Sequence, residues 1–272
     1  MTITLTVRTA LWRAHVARVA NAVDGLVPVV KGNGYGFGRV TLAEIASEFC
    51  DTVAVGTVHE LPGLPDGLHA VVLTPTLAAP ASTDPILTVG NRAHLECLDG
   101  WSGRVLVKLE SSMHRYGGGV ELIDVARARG LGVIGVSIHL PLVGSSAEHA
   151  DEIRTTIAEV DADLPVWLSH LDLETYASLP ATHTYRLRLG TSLWHGDKST
   201  LQLRADVLDV RPIRDGQHAG YRQGAVDGDG HLVMIGAGTA SGVTALPDGR
   251  SPFHFERRRL RLHEAPHMHT SM

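Results

Sequence analysis

Short apolar runs alternate with helical patterns along the first three quarters of the chain. Continuous apolar runs of this kind are typical of strands that are buried on both faces of a parallel sheet. Polar or glycine-containing segments bound each run, so the strands should be short. The pattern predicts eight strands, which are Leu26–Lys31, Thr52–Val55, Ala70–Leu73, Ile86–Val89, Val105–Leu109, Val133–Ile138, Val166–Leu168 and Tyr185–Leu189.

Between these strands, apolar residues recur at helical spacing, and Thr9 and Thr41 are the expected N-caps of the first two helices. Eight strands that alternate with helices predict a (β/α)8 barrel. An open doubly wound sheet is the alternative, but no G-x-G-x-x-G with an acid further on follows the first strand. The predicted helices are Leu11–Ala22, Thr41–Cys50, Arg92–Leu98, Val120–Arg129, Ala147–Val160 and Leu173–Leu179.

The pattern changes near residue 205, where the helical segments stop. Short alternating runs are then separated by Asp-Gly turn signals, which is typical of a small β domain. We therefore expect two domains, a barrel over residues 1–205 and a β domain over residues 206–272. The predicted strands of the second domain are Val207–Val210, Ala219–Arg222, His231–Ile235 and Arg258–Leu262.

Composition narrows the possible functions of this 272-residue chain. An apolar content of 44% supports a sizeable core, and a net charge of −5 without a basic tail gives no reason to expect nucleic-acid binding. No apolar run is long enough to span a membrane, and the first residues lack the pattern of a signal peptide. Because Cys50 and Cys97 are the only cysteines and no H-E-x-x-H occurs, we predict a cytoplasmic protein without a disulfide framework or metal site.

The first predicted strand ends at Lys31, which precedes the glycine-rich loop Gly32–Gly38. A lysine at the mouth of a buried strand is readily desolvated, and desolvation frees its amine to form a Schiff base. The glycines permit sharp turns and the close approach of a ligand. A surface lysine before an ordinary glycine-rich turn is the alternative.

Polar side chains follow several other predicted strands, at the end where barrel enzymes carry their active sites. Each has a simpler alternative: a charged strand residue for Lys108, a core histidine for His139, and a solvated basic pair for Arg186 and Arg188. The clustering nevertheless predicts one site at this end of the barrel. Its candidate residues are Lys31, Lys108, Arg115, His139, Ser169, His170, Arg188, Gly190 and Thr191.

Two motifs resemble those of the alanine racemase family. Val29–Gly38 reads V-V-K-G-N-G-Y-G-F-G and is similar to the family's V-x-K-A-N-A-Y-G-H-G, with glycine in place of both alanines and Phe37 in place of the histidine. Lys108–Gly117 is similar to K-x-D-T-G-M-x-R-x-G. The resemblance implies a barrel followed by a β domain, pyridoxal 5'-phosphate (PLP) as cofactor, and Lys31 as its Schiff-base lysine and a catalytic base.

The same resemblance assigns roles to the other candidate residues. Arg115 would face the PLP phenolate and the substrate carboxylate, and Lys108 would be open to carbamylation. His139 would lie near the pyridine ring and Arg188 beside its nitrogen, where a permanent donor keeps that nitrogen unprotonated. The expected PLP contacts also include Tyr35 of the first motif, Ser169 (or His170 in its place) for the phosphate, and Gly190 with Thr191 for the phosphate.

The resemblance is weaker in the second domain, where the family's second base is a tyrosine in G-Y-A-D-G. The matching stretch, Gly238–Gly242, carries Thr239 at that position, and His267 or His269 could supply a base instead. Family members continue beyond the position of Met272, so the β domain is expected to be either incomplete or reduced. The resemblance implies a homodimer that racemises a small amino acid, with alanine as the default. The alternatives are a PLP-binding protein without racemase activity and a D-amino-acid aldolase or decarboxylase.

Overall fold

The computed structural model describes residues 3–272, which form two compact units. One unit is Ala10–Asp197. The other contains Lys198–Met272 together with the N-terminal residues as far as Thr9, including strand β1 (Ile3–Val7). The units thus divide after Asp197, and an N-terminal strand that was not predicted joins the second one. The two-domain division at residue 205 stays a prediction.

The first unit is the predicted barrel of eight parallel strands with helices between them, which confirms the fold class. Most strands lie within one residue of their predicted bounds, because their buried apolar runs are unambiguous. The first is the exception: its regular part ends at Pro28 instead of Lys31. The strands are β2 (Leu26–Pro28), β3 (Thr52–Val55), β4 (His69–Val72), β5 (Ile86–Val89), β6 (Arg104–Lys108), β7 (Gly132–Ser137), β8 (Val166–Ser169) and β9 (Tyr185–Leu189).

Hydrogen bonding places the barrel strands in the order β2-β9-β8-β7-β6-β5-β4-β3. The ring closes between β2 and β3, where Val29 forms a parallel bridge with Ala54 and the Val30 amide donates to the Ala54 carbonyl at 2.8 Å. Side chains from alternate strand positions fill the interior, as expected for a packed barrel core. This core contains Val27, Val29, Ala54, Val71, Ile86, Leu106 and Trp167.

The helices of the barrel begin close to their predicted starts but end earlier in several cases. The predicted N-cap at Thr41 is wrong, because the second helix already begins at Arg39, behind Gly38. Gly38 has a φ of +93° and turns the chain out of the glycine-rich loop. The helices are α1 (Thr9–Asn21), α2 (Arg39–Ala46), α3 (Arg92–Glu96), α4 (Glu121–Ala128), α5 (Ser146–Thr156), α6 (Leu173–Ala177) and α7 (Thr191–Trp194). In the described part of the chain, none of these helices is both long and apolar enough to span a bilayer.

The second unit is built from antiparallel strand pairs. The predicted strand Ala219–Arg222 is wrong beyond Ala219, because Gly220 has a φ of +80° and starts a turn. Ile235, Ala237 and Val243 form its small apolar core. Within residues 3–272 the pairs are β1 with β10 (Leu201–Ala205), β11 (Val207–Ile213) with β14 (Gly230–Ile235), β12 (His218–Ala219) with β13 (Gly224–Ala225), and β15 (Arg250–Phe255) with β16 (Arg258–Arg261).

Candidate active site

A cavity of about 460 Å³ opens at the carboxyl ends of the barrel strands. This is the end at which barrel enzymes carry their active sites. The site residues predicted at the ends of the barrel strands all line this cavity, and they come from five different strand ends. They are Lys31, Tyr35, Lys108, Arg115, His139, Ser169, His170, Arg188, Gly190 and Thr191.

The wall of the cavity is strongly cationic. Lys31, Lys108, Arg115 and Arg188 all line it, whereas no Asp or Glu does so among residues 3–272. Low-dielectric walls of one charge sign concentrate the field and raise the local concentration of ligands of opposite charge. The cavity is therefore suited to a ligand that carries more than one negative charge.

Lys31 follows β2 at the start of a tightly folded loop. The Asn33 side chain accepts from the Gly36 amide at 3.1 Å, and the Gly34 amide donates to the Lys31 carbonyl at 3.2 Å. Gly34 has a φ of +63°, and a Cβ there would lie 2.5 Å from the Arg39 nitrogen, so glycine is required. Lys31 itself is exposed, so the expectation of a desolvated lysine is wrong. The strand ends before Lys31, and no hydrogen bond or ion pair holds its amine among the described residues.

Lys108 is the buried lysine of the site, with only 3% of its surface exposed. Its amine donates to the Tyr116 carbonyl and lies 4.5 Å from the centroid of the Tyr116 ring. Burial is the main cause that lowers the pKa of Lys108 to about 8, and the charges of Arg115 and Arg188 lower it further.

Tyr116 holds both cations of the second motif, a role that sequence reasoning missed. Its hydroxyl donates to the Leu73 carbonyl at 2.9 Å, which fixes the ring. The Arg115 guanidinium lies 5.0 Å from the ring centroid and donates to the Tyr116 hydroxyl at 3.2 Å. With Lys108 over the same ring, Tyr116 makes cation–π contacts with both cations. The sequence signal for this role was the tyrosine that stands between the arginine and the last glycine of the second motif.

Arg188 on β9 is also buried, with 7% of its surface exposed, so a solvated basic pair does not describe it. Its guanidinium donates to the Ile138 carbonyl at 2.9 Å and to the Leu168 carbonyl at 3.3 Å. Burial lowers its pKa to about 10, which still leaves it charged at neutral pH. Arg188 thus presents a fixed positive charge to the cavity and links the ends of three neighbouring strands.

A hydrogen-bond chain runs from Arg188 through Ser169 to His139. The guanidinium can only donate, so the Ser169 hydroxyl accepts from it at 3.4 Å, and the same hydroxyl is hydrogen-bonded to Nδ1 of His139 at 2.6 Å. Burial first, and then Arg188 and other neighbouring cations, lower the pKa of His139 to about 3. His139 is therefore neutral at neutral pH. The Ser169 hydroxyl is therefore already hydrogen-bonded to both Arg188 and His139.

Gly190 lets two loops of the cavity wall approach each other. A Cβ at Gly190 would lie 1.9 Å from the Tyr35 hydroxyl, so only glycine leaves room for that ring. Nε2 of His195 donates to the Tyr35 carbonyl at 2.8 Å and ties the same two loops together. Thr191 begins α7 and is exposed on the cavity wall. His195 is a second wall residue that sequence reasoning missed.

Thr239 lies in the second unit, in an exposed turn that follows β14. Its amide donates to the His267 carbonyl at 2.8 Å. Nε2 of His267 in turn bonds to the Glu264 carboxylate at 2.5 Å. The turn carries no ionisable side chain, so nothing in it activates the Thr239 hydroxyl.

Comparison with known proteins places the chain in a class and then in a family. The model of the N-terminal domain of alanine racemase matches residues 7–195. This match, with the barrel and its cavity, places the protein in the fold-type III class of PLP-dependent enzymes. Because the match extends over well more than half of the sequence, the chain belongs to the alanine racemase family.

Solved structures show the same fold along the whole chain. The alanine racemase of the D-cycloserine producer Streptomyces lavendulae is 21% identical with a TM-score of 0.76, and covers 100% of this chain and 83% of its own. The Bartonella henselae enzyme with covalently bound pyridoxal phosphate is 17% identical with a TM-score of 0.74, covering 100% and 85%. The Streptomyces coelicolor A3(2) enzyme is 18% identical with a TM-score of 0.76, covering 99% and 84%. No curated protein matches the chain in sequence.

Proposed function

We propose that this protein is a PLP-dependent racemase of a small amino acid, with alanine as the default substrate. The observation that carries the proposal is a cationic cavity, free of lining carboxylates among residues 3–272, with the exposed amine of Lys31 at its edge. PLP, when bound, supplies an electron sink for the negative charge that remains on the α carbon after loss of its proton. A phosphate and an amino-acid carboxylate are the anions that such a reaction brings together.

The residues of the cavity fit this cofactor. Lys31 has an unengaged amine that would carry the cofactor carbonyl as a Schiff base. Gly190 and Thr191 would offer backbone amides to the phosphate beside the Tyr35 hydroxyl, which already lies against Gly190. Ser169 fits the phosphate less well than expected, because its hydroxyl is committed between Arg188 and His139.

The remaining residues orient the substrate and hold charge. Arg115, which is exposed and supported by the Tyr116 ring, would bind the substrate carboxylate. Arg188 would place a permanent donor beside the ring nitrogen and keep a proton off that nitrogen. Lys31 would move a proton at the α carbon.

We also infer a cytoplasmic homodimer. Large apolar side chains on β10 and β11 are at least half exposed in this single chain, which is unfavourable for a surface that stays in water. They are Leu203, Val207, Leu208 and Val210. A second copy of the chain, as the family resemblance implies, would cover them.

A PLP-binding protein without racemase activity is the second candidate. It is favoured by Thr239, which stands where the resemblance predicts the second base and which has no activating neighbour in its turn. Such a protein would either exchange the α proton on one face only or hold PLP for a carrier or regulatory role without any exchange. The two candidates therefore differ in a measurable way.

Isotope exchange tests the proposed function. The purified protein, loaded with PLP, should convert L-alanine to D-alanine in D₂O and should place deuterium at the α carbon of both enantiomers. Chiral chromatography and proton NMR would follow the two products. Deuterium incorporation with retained configuration and no D-alanine would support one-sided chemistry, and bound PLP without exchange of either enantiomer would support a carrier or regulatory role. Either result would contradict the proposed racemase.

Carbamylation of Lys108 is a separate prediction. Only the neutral amine reacts with CO₂, and burial brings the pKa of Lys108 to about 8. At a fixed bicarbonate concentration, the carbamate should increase as the pH rises towards 8 and stay constant above it, whereas an ordinary lysine would continue to gain until about pH 10.4. NMR with ¹³C-bicarbonate would detect a carbamate signal that Lys108→Met lacks. An unchanged signal in that variant would assign the carbamate elsewhere.

A further inference from the structure

Racemisation requires a proton-transfer group on each side of the α carbon. Lys31 is available for one side. Thr239 is a poor choice for the other, because no side chain among the described residues bonds its hydroxyl and threonine is not a base without an activator. The chain must therefore supply another group if it racemises, and the cavity wall contains a suitable one.

His170 has a hydrogen-bond geometry that leaves one ring nitrogen basic. Its Nδ1 lies 2.7 Å from the Leu140 carbonyl, and a carbonyl oxygen can only accept. Nδ1 therefore carries the proton, and in the neutral imidazole Nε2 holds the free lone pair. No group in residues 3–272 is hydrogen-bonded to Nε2. His170 is exposed and lines the same cavity as Lys31.

The backbone of His170 is held in an unfavourable conformation. Its φ of +62° lies in the left-handed region, which costs a non-glycine residue on the order of 1–3 kcal/mol and occurs disproportionately at functional sites. This conformation follows directly after β8 and sets the imidazole against His139, with ring centroids 4.6 Å apart. His139 is held differently, since its Nδ1 is bonded to the Ser169 hydroxyl, which can donate as well as accept.

The other titratable groups of the wall are less suitable. Lys108 and Tyr116 are both bonded to backbone carbonyls. His195 donates from Nε2 to the Tyr35 carbonyl, and its ring is half-buried against those of Phe37, at a centroid distance of 5.3 Å, and Tyr35. His170 alone among these groups combines exposure to the cavity with an unengaged basic nitrogen in the described part of the chain.

We propose that His170 is the second proton-transfer residue of this site, in place of the phosphate contact that the resemblance offered as an alternative to Ser169; the assignment rests on the proposed racemase function. Nε2 of neutral His170 takes the α proton of one enantiomer, and the electron pair of the broken C–H bond stays on the substrate. The ammonium form of Lys31 then delivers a proton to the opposite side of the α carbon. This event leaves His170 protonated and Lys31 neutral; His170 then releases its proton to water and Lys31 takes a proton from water, so both groups return to their starting forms.

The tautomer of His170 can be tested without cofactor or turnover. NMR of the full chain with ¹⁵N-labelled histidine should show neutral His170 protonated at Nδ1 and unprotonated at Nε2. Single His170→Asn and His139→Asn variants would assign the signals. A His170 that is protonated only at Nε2 would overturn the proposal, because no lone pair would face the cavity.

Exchange of each enantiomer tests the catalytic role in the PLP-loaded protein. His170→Asn is the matched variant, because asparagine tolerates the left-handed region and its amide can still donate to Leu140. We expect its α-proton exchange to fall by about 10²–10⁴-fold for one enantiomer only, with an equal fall in racemisation. Exchange of both enantiomers at the wild-type rate would overturn the proposal. If the wild type itself exchanged neither enantiomer, the proposed function would fail, and this assignment would fail with it.

A second variant separates a catalytic from a structural role. Glycine adopts a φ of +62° without strain, so His170→Gly should leave the fold intact and space for a small base. Added imidazole should restore exchange of the affected enantiomer and leave the cofactor absorbance unchanged. Loss of that absorbance in both variants, without rescue, would make His170 a cofactor-holding residue and would contradict the proposal.

Discussion

Replacement of Lys31 by alanine should remove the covalent cofactor adduct and lower racemisation by at least about 10²–10⁴-fold. Lys31 has an exposed amine at the edge of the cavity, and no partner in residues 3–272 competes for it. The variant should still fold, because an exposed side chain without partners contributes little to stability. Borohydride reduction of the loaded wild type, followed by peptide mapping, should locate the adduct on Lys31.

The sequence makes this experiment unusually clear. Lys31, Lys108 and Lys198 are the only lysines in the chain, so a trapped adduct has three possible side chains. Lys198→Ala is the control, since Lys198 belongs to the second unit and does not line the cavity. It should retain both the adduct and the activity. An adduct that persists in Lys31→Ala, or that maps to Lys108, would refute the assignment of Lys31.

Replacement of Arg188 by lysine should cost both stability and activity although it keeps the charge. The planar guanidinium reaches Ile138, Leu168 and Ser169 at once, which a single ammonium group cannot do. Loss of hydrogen bonds from a buried charged group typically costs about 1–3 kcal/mol. Because the Ser169–His139 chain begins at Arg188, its loss should also misplace His139 and lower turnover on the order of 10²-fold.

Arg186 offers the matched control two positions earlier on β9. Its half-buried guanidinium lies 5.0 Å from the centroid of the Trp167 ring. The Arg186 side chain forms no hydrogen bond within residues 3–272 and does not line the cavity. Arg186→Lys should therefore leave turnover within a few-fold of the wild type. Thermal unfolding and initial rates of both variants would provide the comparison. Equal rates for Arg188→Lys and the wild type would show that turnover does not depend on the planar geometry of the guanidinium.

The regular part of the fold follows from local pattern. Apolar runs such as Thr52–Val55 and Ile86–Val89 are too short and too continuous for amphipathic helices, so their strands were predicted at the observed bounds. The second unit was harder to predict. Strand β1 lies next to the start of α1 in sequence, yet it pairs with β10 near residue 200. No local pattern encodes such a distant partner.

The sequence alone determined which residue types meet at the mouth of the barrel. The candidates lie in the last positions of predicted strands or in the loops that follow them, and parallel strands bring all their carboxyl ends to one edge, so the topology brings these residues together in a single cavity. Its charge also follows from the sequence once the strands are placed, because the lining positions carry lysine and arginine but, among residues 3–272, no acid.

Only the tertiary structure decided what each of these groups can do. Lys31 is exposed and Lys108 is buried, although both were predicted at or near strand ends, because the regular part of β2 stops at Pro28. The proton of His170 lies on Nδ1 because the Leu140 carbonyl, contributed by the neighbouring strand end, can only accept. Burial and hydrogen-bond direction arise from contacts between residues that are distant in sequence. The sequence therefore identifies the chemical groups of the site, whereas the folded chain determines their exposure and the positions of their protons.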